Sequence, residues 1–210
     1  VFTYILIIAI MIIFYFANTY IDGSFVHKVI SVSFNTISII SGTGYVSENF
    51  ENWGNYASVL FLILMFIGGC AGSTTGGLKI FRFQILFKHI IMHLKKMIKP
   101  HKVMASNFNN KKIPETTYES VMSFFFIYIF TFALSALLLS FSGLDFMTCI
   151  SAAASSISNV GPGLGAEIGP NGNYDILSPY SKIILVITMF LGRLELLTIF
   201  ILLIPSFWRD

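Results

Sequence analysis

Four stretches of the chain carry almost no charge and are long enough to cross a bilayer, at about 20 apolar residues per helix. They are Val1–Ala17, Tyr56–Leu78, Ser120–Ser142 and Ile183–Trp208, the last interrupted by Arg193 and Glu195. The first lacks the basic start and small-residue cleavage site of a signal peptide. Two further stretches, Val29–Ser47 and Phe146–Ala166, are also uncharged, although Lys28, Glu48, Asp145 and Glu167 lie just outside them. Both are too apolar for solvated loops, and both end in polar, glycine-rich sequence. Each is either a further full crossing rich in Ser and Ala, or a short helix that enters the membrane and returns as extended backbone.

Charge decides between these. Nine of the thirteen Lys and Arg residues fall in one connection: Lys79, Arg82, Lys88, Lys95, Lys96, Lys99, Lys102, Lys111 and Lys112. The other two connections hold Asp22, Glu48 and Glu51, then Asp145, Glu167 and Asp175, against Lys28 and Lys182. Basic loops stay in the cytoplasm, so residues 79–116 are expected inside and 21–54 and 143–180 outside. A full extra crossing in either outer connection would break this asymmetry, whereas a re-entrant helix preserves it. Arg209 beside Trp208 fits an anchor at the inner interface.

Composition agrees. Of 210 residues 55% are hydrophobic and 11% charged, with mean hydropathy +0.79, against roughly 25% charge in soluble domains. That excludes a soluble globular enzyme, a disordered chain and a nucleic-acid binder. The expected fold is all-α and integral to the membrane, and no catalytic constellation is visible. Cys70 and Cys149 lie in uncharged sequence and read as small buried residues, not as a disulfide or metal site. His89 and His93 stand four apart, with no acidic or Cys ligand nearby. Residues 105–116 read as a loop. The basic segment is either a topology signal on a solvated helix end or a contact for anionic lipid or a cytoplasmic partner.

The two halves repeat. An offset of 117 pairs Ser41-Gly-Thr-Gly44 with Ser158-Asn-Val-Gly161, Ser38 with Ser155 and Ile40 with Ile157. An offset of 124 pairs Met65-Phe-Ile-Gly-Gly69 with Met189-Phe-Leu-Gly-Arg193, so seven extra residues sit in the second outer connection, near 167–175. Each unit is span, re-entrant helix, glycine turn, span, and both run in the same direction, unlike the inverted repeats of many transporters. Backbone off the regular ladder at membrane depth must be buried or line a watery cavity. Carbonyls there can replace the water around a dehydrated alkali cation, as in potassium filters, and glycine permits the dihedral angles that aim successive carbonyls one way. The candidate ion ligands are Gly42, Thr43, Gly44 and Tyr45 with Asn159, Val160, Gly161 and Pro162. Carbonyls of Thr43, Gly44, Val160 and Gly161 are the expected potassium contacts.

Gly68-Gly-Cys-Ala-Gly-Ser-Thr-Thr-Gly-Gly77 sets five glycines into the second span, each costing about 1 kcal/mol in a helix interior. The span is expected to break here. Gly68, Gly69, Gly72, Ser73, Thr74, Thr75, Gly76 and Gly77 form either a close helix-packing seam or a flexible loop able to block the path. A nucleotide P-loop is excluded, because Leu78-Lys79 stands where Lys followed by Ser or Thr is needed. Arg193 within the fourth span costs about 2.5–3.5 kcal/mol on insertion scales. It either faces a watery cavity as an electrostatic barrier or sits in a buried ion pair, with Glu195 turned to another helix.

Ser-Gly-Thr-Gly-Tyr at 41–45, the glycine run at 68–77 continuing into Leu78-Lys79-Ile-Phe-Arg82, and Gly-Arg-Leu-Glu at 192–195 resemble the Trk/Ktr/HKT potassium transporter superfamily. The likeness is greatest to its bacterial TrkH/KtrB subunits. The resemblance implies four membrane-pore-membrane units around a pseudo-fourfold axis. This chain would be the third (1–104, with a basic cytoplasmic extension) and the fourth (117–210), joined by a loop at 105–116. The first two units are missing, which suits a piece of a longer protein. It further implies potassium as substrate, Gly44 and Gly161 as filter glycines, 68–77 as an intramembrane gate, and Arg193 as the arginine below the filter. A homodimer in the bacterial inner membrane is implied, controlled by cytoplasmic TrkA/KtrA-like subunits that alone carry nucleotide; no cofactor is expected on this chain. The competing readings are a secondary transporter of sodium or a polar solute, for which only Glu195 could serve as a relay, and a non-conducting membrane subunit.

Overall fold

Capping chemistry sets the ends of the two short uncharged helices. In this computed structural model of the protein, helix α1 (Phe2–Ala17) is followed by α2 (Phe25–Ser41), which starts where the Ser24 hydroxyl accepts the His27 N–H at 3.3 Å. The chain continues through a 3-10 turn at Phe50–Trp53 into α3 (Asn55–Phe66), β1 (Ile67–Gly68), β2 (Leu78–Lys79) and α4 (Ile80–Ile98). A short antiparallel pair, β3 (Asn107–Phe108) and β4 (Lys111–Lys112), precedes α5 (Glu115–Ser140). Then come α6 (Phe146–Ser158), started by the Asp145 carboxylate accepting from Met147 N at 3.2 Å, a 3-10 turn at Tyr174–Ile176, α7 (Pro179–Arg193) and a last turn at Pro205–Trp208. The structure describes all residues except 71, 99–106, 109–110, 113, 166, 195–197, 199–200, 202–204 and 209–210. The expected roles of Glu195, Lys99, Lys102 and Arg209 lie outside the described residues, as do residues 105–106, 109–110 and 113 of the 105–116 loop.

Both short helices end in the left-handed region, α2 at Gly42 (φ 68°) and α6 at Asn159 (φ 54°). Asn is the residue besides Gly that tolerates this conformation. At 1.5 Å per residue they span about 25 and 20 Å, short of the ~30 Å hydrocarbon core. The re-entrant expectation for Val29–Ser47 and Phe146–Ala166 thus has a structural counterpart in helix, left-handed stop, extended return.

The glycine run breaks the second span as expected. Helix α3 stops at Phe66, and Ile67↔Leu78 and Gly68↔Lys79 pair as parallel β-strands, closing residues 69–77 into a loop. Twelve helical residues cover only about 18 Å, so α3 alone cannot cross. Helix α4 packs along α5, with Phe83 edge-on to Phe125 at 5.2 Å and Ile85 clustered with Tyr118 and Val121. Among the described residues only Thr116–Ser140 is a single helix long and apolar enough to span. Of the expected fourth span, α7 covers the part up to Arg193, and much of the remainder lies outside the described residues.

Helix α6 is the hub. It touches α3, α5 and α7, and Ser151, Ala152, Ala153, Ala154 and Ile157 are wholly buried; small side chains let neighbouring backbones approach. Helix α2 packs on α1 and α3 but keeps Phe25, Val26, Ile30, Phe34 and Ile37 on an exposed face. The Glu51 carboxylate accepts the Gly165 N–H and Gly169 sits against the same group, latching the segment after α2 to the segment after α6. Cys149 is buried as expected, but Cys70 is exposed, because the loop that carries it leaves the helix before that point.

Losing the latch removes a hydrogen bond to a charged acceptor, worth about 1.5–3 kcal/mol. Glu51→Ala is expected to lower the thermal midpoint of the purified protein by several degrees, while Asp22→Ala, at an exposed site, leaves it within a degree or so.

Candidate functional site

The turns after α2 and α6 use up their backbone donors inside the protein. After α2, the N–H groups of Thr43 and Gly44 both donate to the Ser38 carbonyl (3.0 and 3.4 Å), and Gly42 N donates to Ile39 O (3.1 Å). After α6, Val160 N donates to Ser155 O (3.0 Å), Asn159 N to Ser156 O (3.2 Å), and Gly161 N to the Ser155 hydroxyl (3.1 Å). At the offset of 117 the bonds of Gly42 and Thr43 recur atom for atom at Asn159 and Val160, and that of Gly44 recurs at Gly161 to the matching serine, on its carbonyl at Ser38 and on its hydroxyl at Ser155. The exit limbs are pinned in the same manner. Asn35 bonds both the N–H and the hydroxyl of Ser47, and the Ser151 hydroxyl bonds both the N–H and the carbonyl of Leu164.

Alternating signs of φ shape each turn. Gly42 and Gly44 are at 68° and 73° and Asn159 and Gly161 at 54° and 115°, with Thr43 and Val160 negative between them. The two turns touch: a side chain at Gly44 would strike the Val160 carbonyl oxygen, whereas one at Gly161 would meet only Gly44 Cα at 3.8 Å. Beside them lies a cavity of about 630 Å³ lined by Gly42, Thr43, Asn159, Val160 and Gly161. The Tyr45 side chain is exposed, and Pro162 packs beside Gly44. Leu185, Val186, Met189 and Lys182 also line it, so carbonyl and hydroxyl oxygens, without a carboxylate, are what it offers a cation that gives up water. Both helix C-termini, which carry partial negative charge, end here.

The 69–77 loop lies directly under the turns. Thr75 holds it together: its hydroxyl accepts Gly69 N (2.9 Å) and bonds the Ser73 hydroxyl (2.7 Å). A side chain on Gly42 would come 3.7 Å from Thr75 Cγ2. Gly76 and Gly192 press on the last carbonyls of α6, those of Ser158 and Ile157 respectively, and leave no room for a Cβ at either. Arg193 Nη1 donates to the Thr74 carbonyl at 2.6 Å. A second cavity of about 240 Å³ lies between this loop, Arg82, Phe124 and Arg193; the Arg82 guanidinium sits 3.6 Å above the Phe124 ring. Gly68 lies in β1 and Gly77 starts the return into β2, while Gly72 (φ 84°) has open space around it. The structure thus brings the sequence-nominated residues into two adjoining layers, turns above and loop below.

Sequence reasoning missed Tyr174, whose hydroxyl donates to the Gly161 carbonyl at 2.9 Å, along with Glu51 and the Tyr128–Ser158 hydroxyl pair (2.7 Å) that fixes the end of α6. The repeat offset offered a signal for the first; nothing in the sequence signals the others.

Apolar helices framing two re-entrant helices, whose carbonyl-bearing turns meet, define a membrane protein of the pore-loop class. The chain belongs to the TrkH family, described as a cation transport protein, which it matches over residues 2–209. It is 45% identical over 179 residues to the Trk system potassium uptake protein TrkI of Halomonas elongata, covering 85% of this chain and 36% of that one. To TrkH of Escherichia coli K12 it is 33% identical, over 98% of this chain and 41% of the relative. The crystal structure of the potassium transporter TrkH from Vibrio parahaemolyticus superposes with a TM-score of 0.88 at 31% identity, covering 99% of this chain and 44% of that one. The chain therefore spans about two fifths of the length of these relatives.

The glycine contacts rank the substitutions. Gly76→Ala and Gly192→Ala force methyl groups onto backbone carbonyls, and overpacking typically costs 1–3 kcal/mol. Both should cut the amount of folded protein recovered in detergent well below that of Gly72→Ala, where only the dihedral angle is unfavourable.

Proposed function

We propose that this chain forms half of a potassium-uptake pathway in a bacterial inner membrane. The observation that carries the reading is the one-sided hydrogen bonding of residues 42–44 and 159–161: donors are spent on α2 and α6, and carbonyl oxygens remain for an ion. Names of the relatives and of the solved neighbour, all potassium uptake proteins, support potassium as the substrate. Residues 1–104 and 117–210 act as two parallel membrane-pore-membrane units joined by 105–116. Two more such units complete the ring of carbonyls that a filter needs.

Potassium sheds water at the outer mouth, passes the carbonyls of Thr43, Gly44, Val160 and Gly161, and meets the 69–77 loop. Arg193 locks that loop through Thr74 and places a positive charge under the filter; opening breaks this hydrogen bond and swings the loop aside on its glycines. Control comes from a cytoplasmic nucleotide-binding partner of the TrkA/KtrA kind acting on the basic face of α4, and the full-length protein works as a homodimer. The side carrying Asp22, Glu48 and Asp175 faces outward.

Gly161→Ser tests the filter more cleanly than Gly44→Ser, since space exists at the former. In potassium-uptake-deficient cells it should raise the potassium concentration for half-maximal uptake about tenfold, the equivalent of 1.4 kcal/mol of lost ion coordination. Unchanged affinity and unchanged discrimination against sodium would remove these turns from the pathway. Arg193→Ala, which frees Thr74 from a charge-assisted bond, is expected to raise flux several-fold; wild-type flux would remove Arg193 from the gate.

A further inference from the structure

The outer connections of the two units are built alike, yet they treat their filter glycines differently. Asn49 caps the first 3-10 turn by accepting the Glu51 N–H at 3.0 Å, and Asn173 caps the second by accepting the Asp175 N–H at 3.0 Å. These bonds match at an offset of 124, so Tyr174 stands where Phe50 stands in the first unit. Phe50 is wholly buried, with its ring 4.3 Å from Phe61 and 6.4 Å from Trp53, and has no hydroxyl to offer Gly44. Tyr174 does have one, and it donates to the carbonyl of Gly161.

Gly161 is consequently held at both ends of its peptide groups. Its N–H is fixed from below by Ser155, and its carbonyl is fixed from above by Tyr174. We infer that Tyr174 is a positioning residue of the ion path, setting the distance and direction of the Gly161 carbonyl so that it serves a large dehydrated cation and cannot close on a small one. This rests on the filter reading above.

A carbonyl oxygen has two lone pairs, so one remains for the ion while the other is spent on the tether. Coordinating a smaller cation requires the oxygen to move inward, which stretches the tether; potassium needs no such movement. The side chain is suited to the task because burial pushes the Tyr174 hydroxyl above its ordinary value, with a hydrogen bond from Ser155 opposing. It therefore stays protonated, and remains a donor, through the neutral range. The turn itself is anchored by Asn173 below the ring and by Lys182, whose ammonium donates to the Asp175 carbonyl at 2.8 Å.

The test is Tyr174→Phe in the full-length protein, which keeps the ring and deletes the donor. The readouts are uptake of potassium and of sodium, and membrane abundance. The ratio of sodium to potassium half-saturation concentrations should fall about five-fold, the change expected from one ordinary hydrogen bond, with membrane abundance retained. A merely structural Tyr174 would move abundance and leave the ratio alone. Gly161→Ser serves as the parallel arm. If it alters ion preference and Tyr174→Phe does not, the tether is overturned and the filter stands; if neither alters it, both fall. Should Tyr174→Phe not reach the membrane, Asn173→Ala, at an exposed position, loosens the turn that carries the tyrosine. A shift in the same direction supports the tether, and an unchanged ratio overturns it.

Discussion

Everything in this structure depends on where six backbone N–H groups go. In the interior of a membrane an unpaired donor costs several kcal/mol, so a chain that leaves its helix there must give each one a partner. The turns at 42–44 and 159–161 solve this by folding each donor back onto the last turn of its own helix, chiefly on Ser38 and Ser155. The acceptors have no such obligation. The cavity lined by Gly42, Thr43, Asn159, Val160 and Gly161 borders these turns, and the proposed ion path uses the carbonyls they leave there. Left-handed dihedral angles at 42, 44, 159 and 161 are what make the arrangement sterically possible.

That solution constrains the layers below it. The end of α6 presents carbonyls that helix geometry leaves without partners, and Gly76 and Gly192 close over them. The loop thus bears on the same helix end that supports the Asn159–Gly161 turn. Tyr128 of α5, bonded to Ser158, fixes the end of α6, and Arg193 of α7, bonded to Thr74, ties the loop beside it. The turns and the loop are separate in sequence but share one wall, so displacement of the loop is felt at the turns.

Much of this was legible in the residues. Charge-free stretches bounded by Lys28, Glu48, Asp145 and Glu167 placed the re-entrant helices, and five glycines in ten residues placed the break after Phe66. The offset of 117 matched the partner residues of the turn hydrogen bonds, with one acceptor atom exchanged. Two things were not legible. Cys70 was read as buried from its neighbours' composition, whereas the strand pairing at Ile67 and Gly68 turns the following backbone outward. The Glu51–Gly165 latch joins residues 114 apart, and no local pattern records such a meeting. Tyr174 falls between: the shift from one offset to the other, confined to residues 165–172 by the Leu164 and Asn173 bonds, identifies its counterpart as Phe50, but only coordinates show the hydroxyl reaching Gly161.

The central claim is that a dehydrated monovalent cation is held by main-chain oxygens of these two turns. Anomalous diffraction from crystals of the full-length protein soaked in a thallium or rubidium salt tests it directly. The account predicts a peak among the carbonyls of Thr43, Gly44, Val160 and Gly161, weakened by an excess of potassium and untouched by sodium. Density absent there, with a peak instead beside carboxylates such as Asp22 and Glu48, would contradict it.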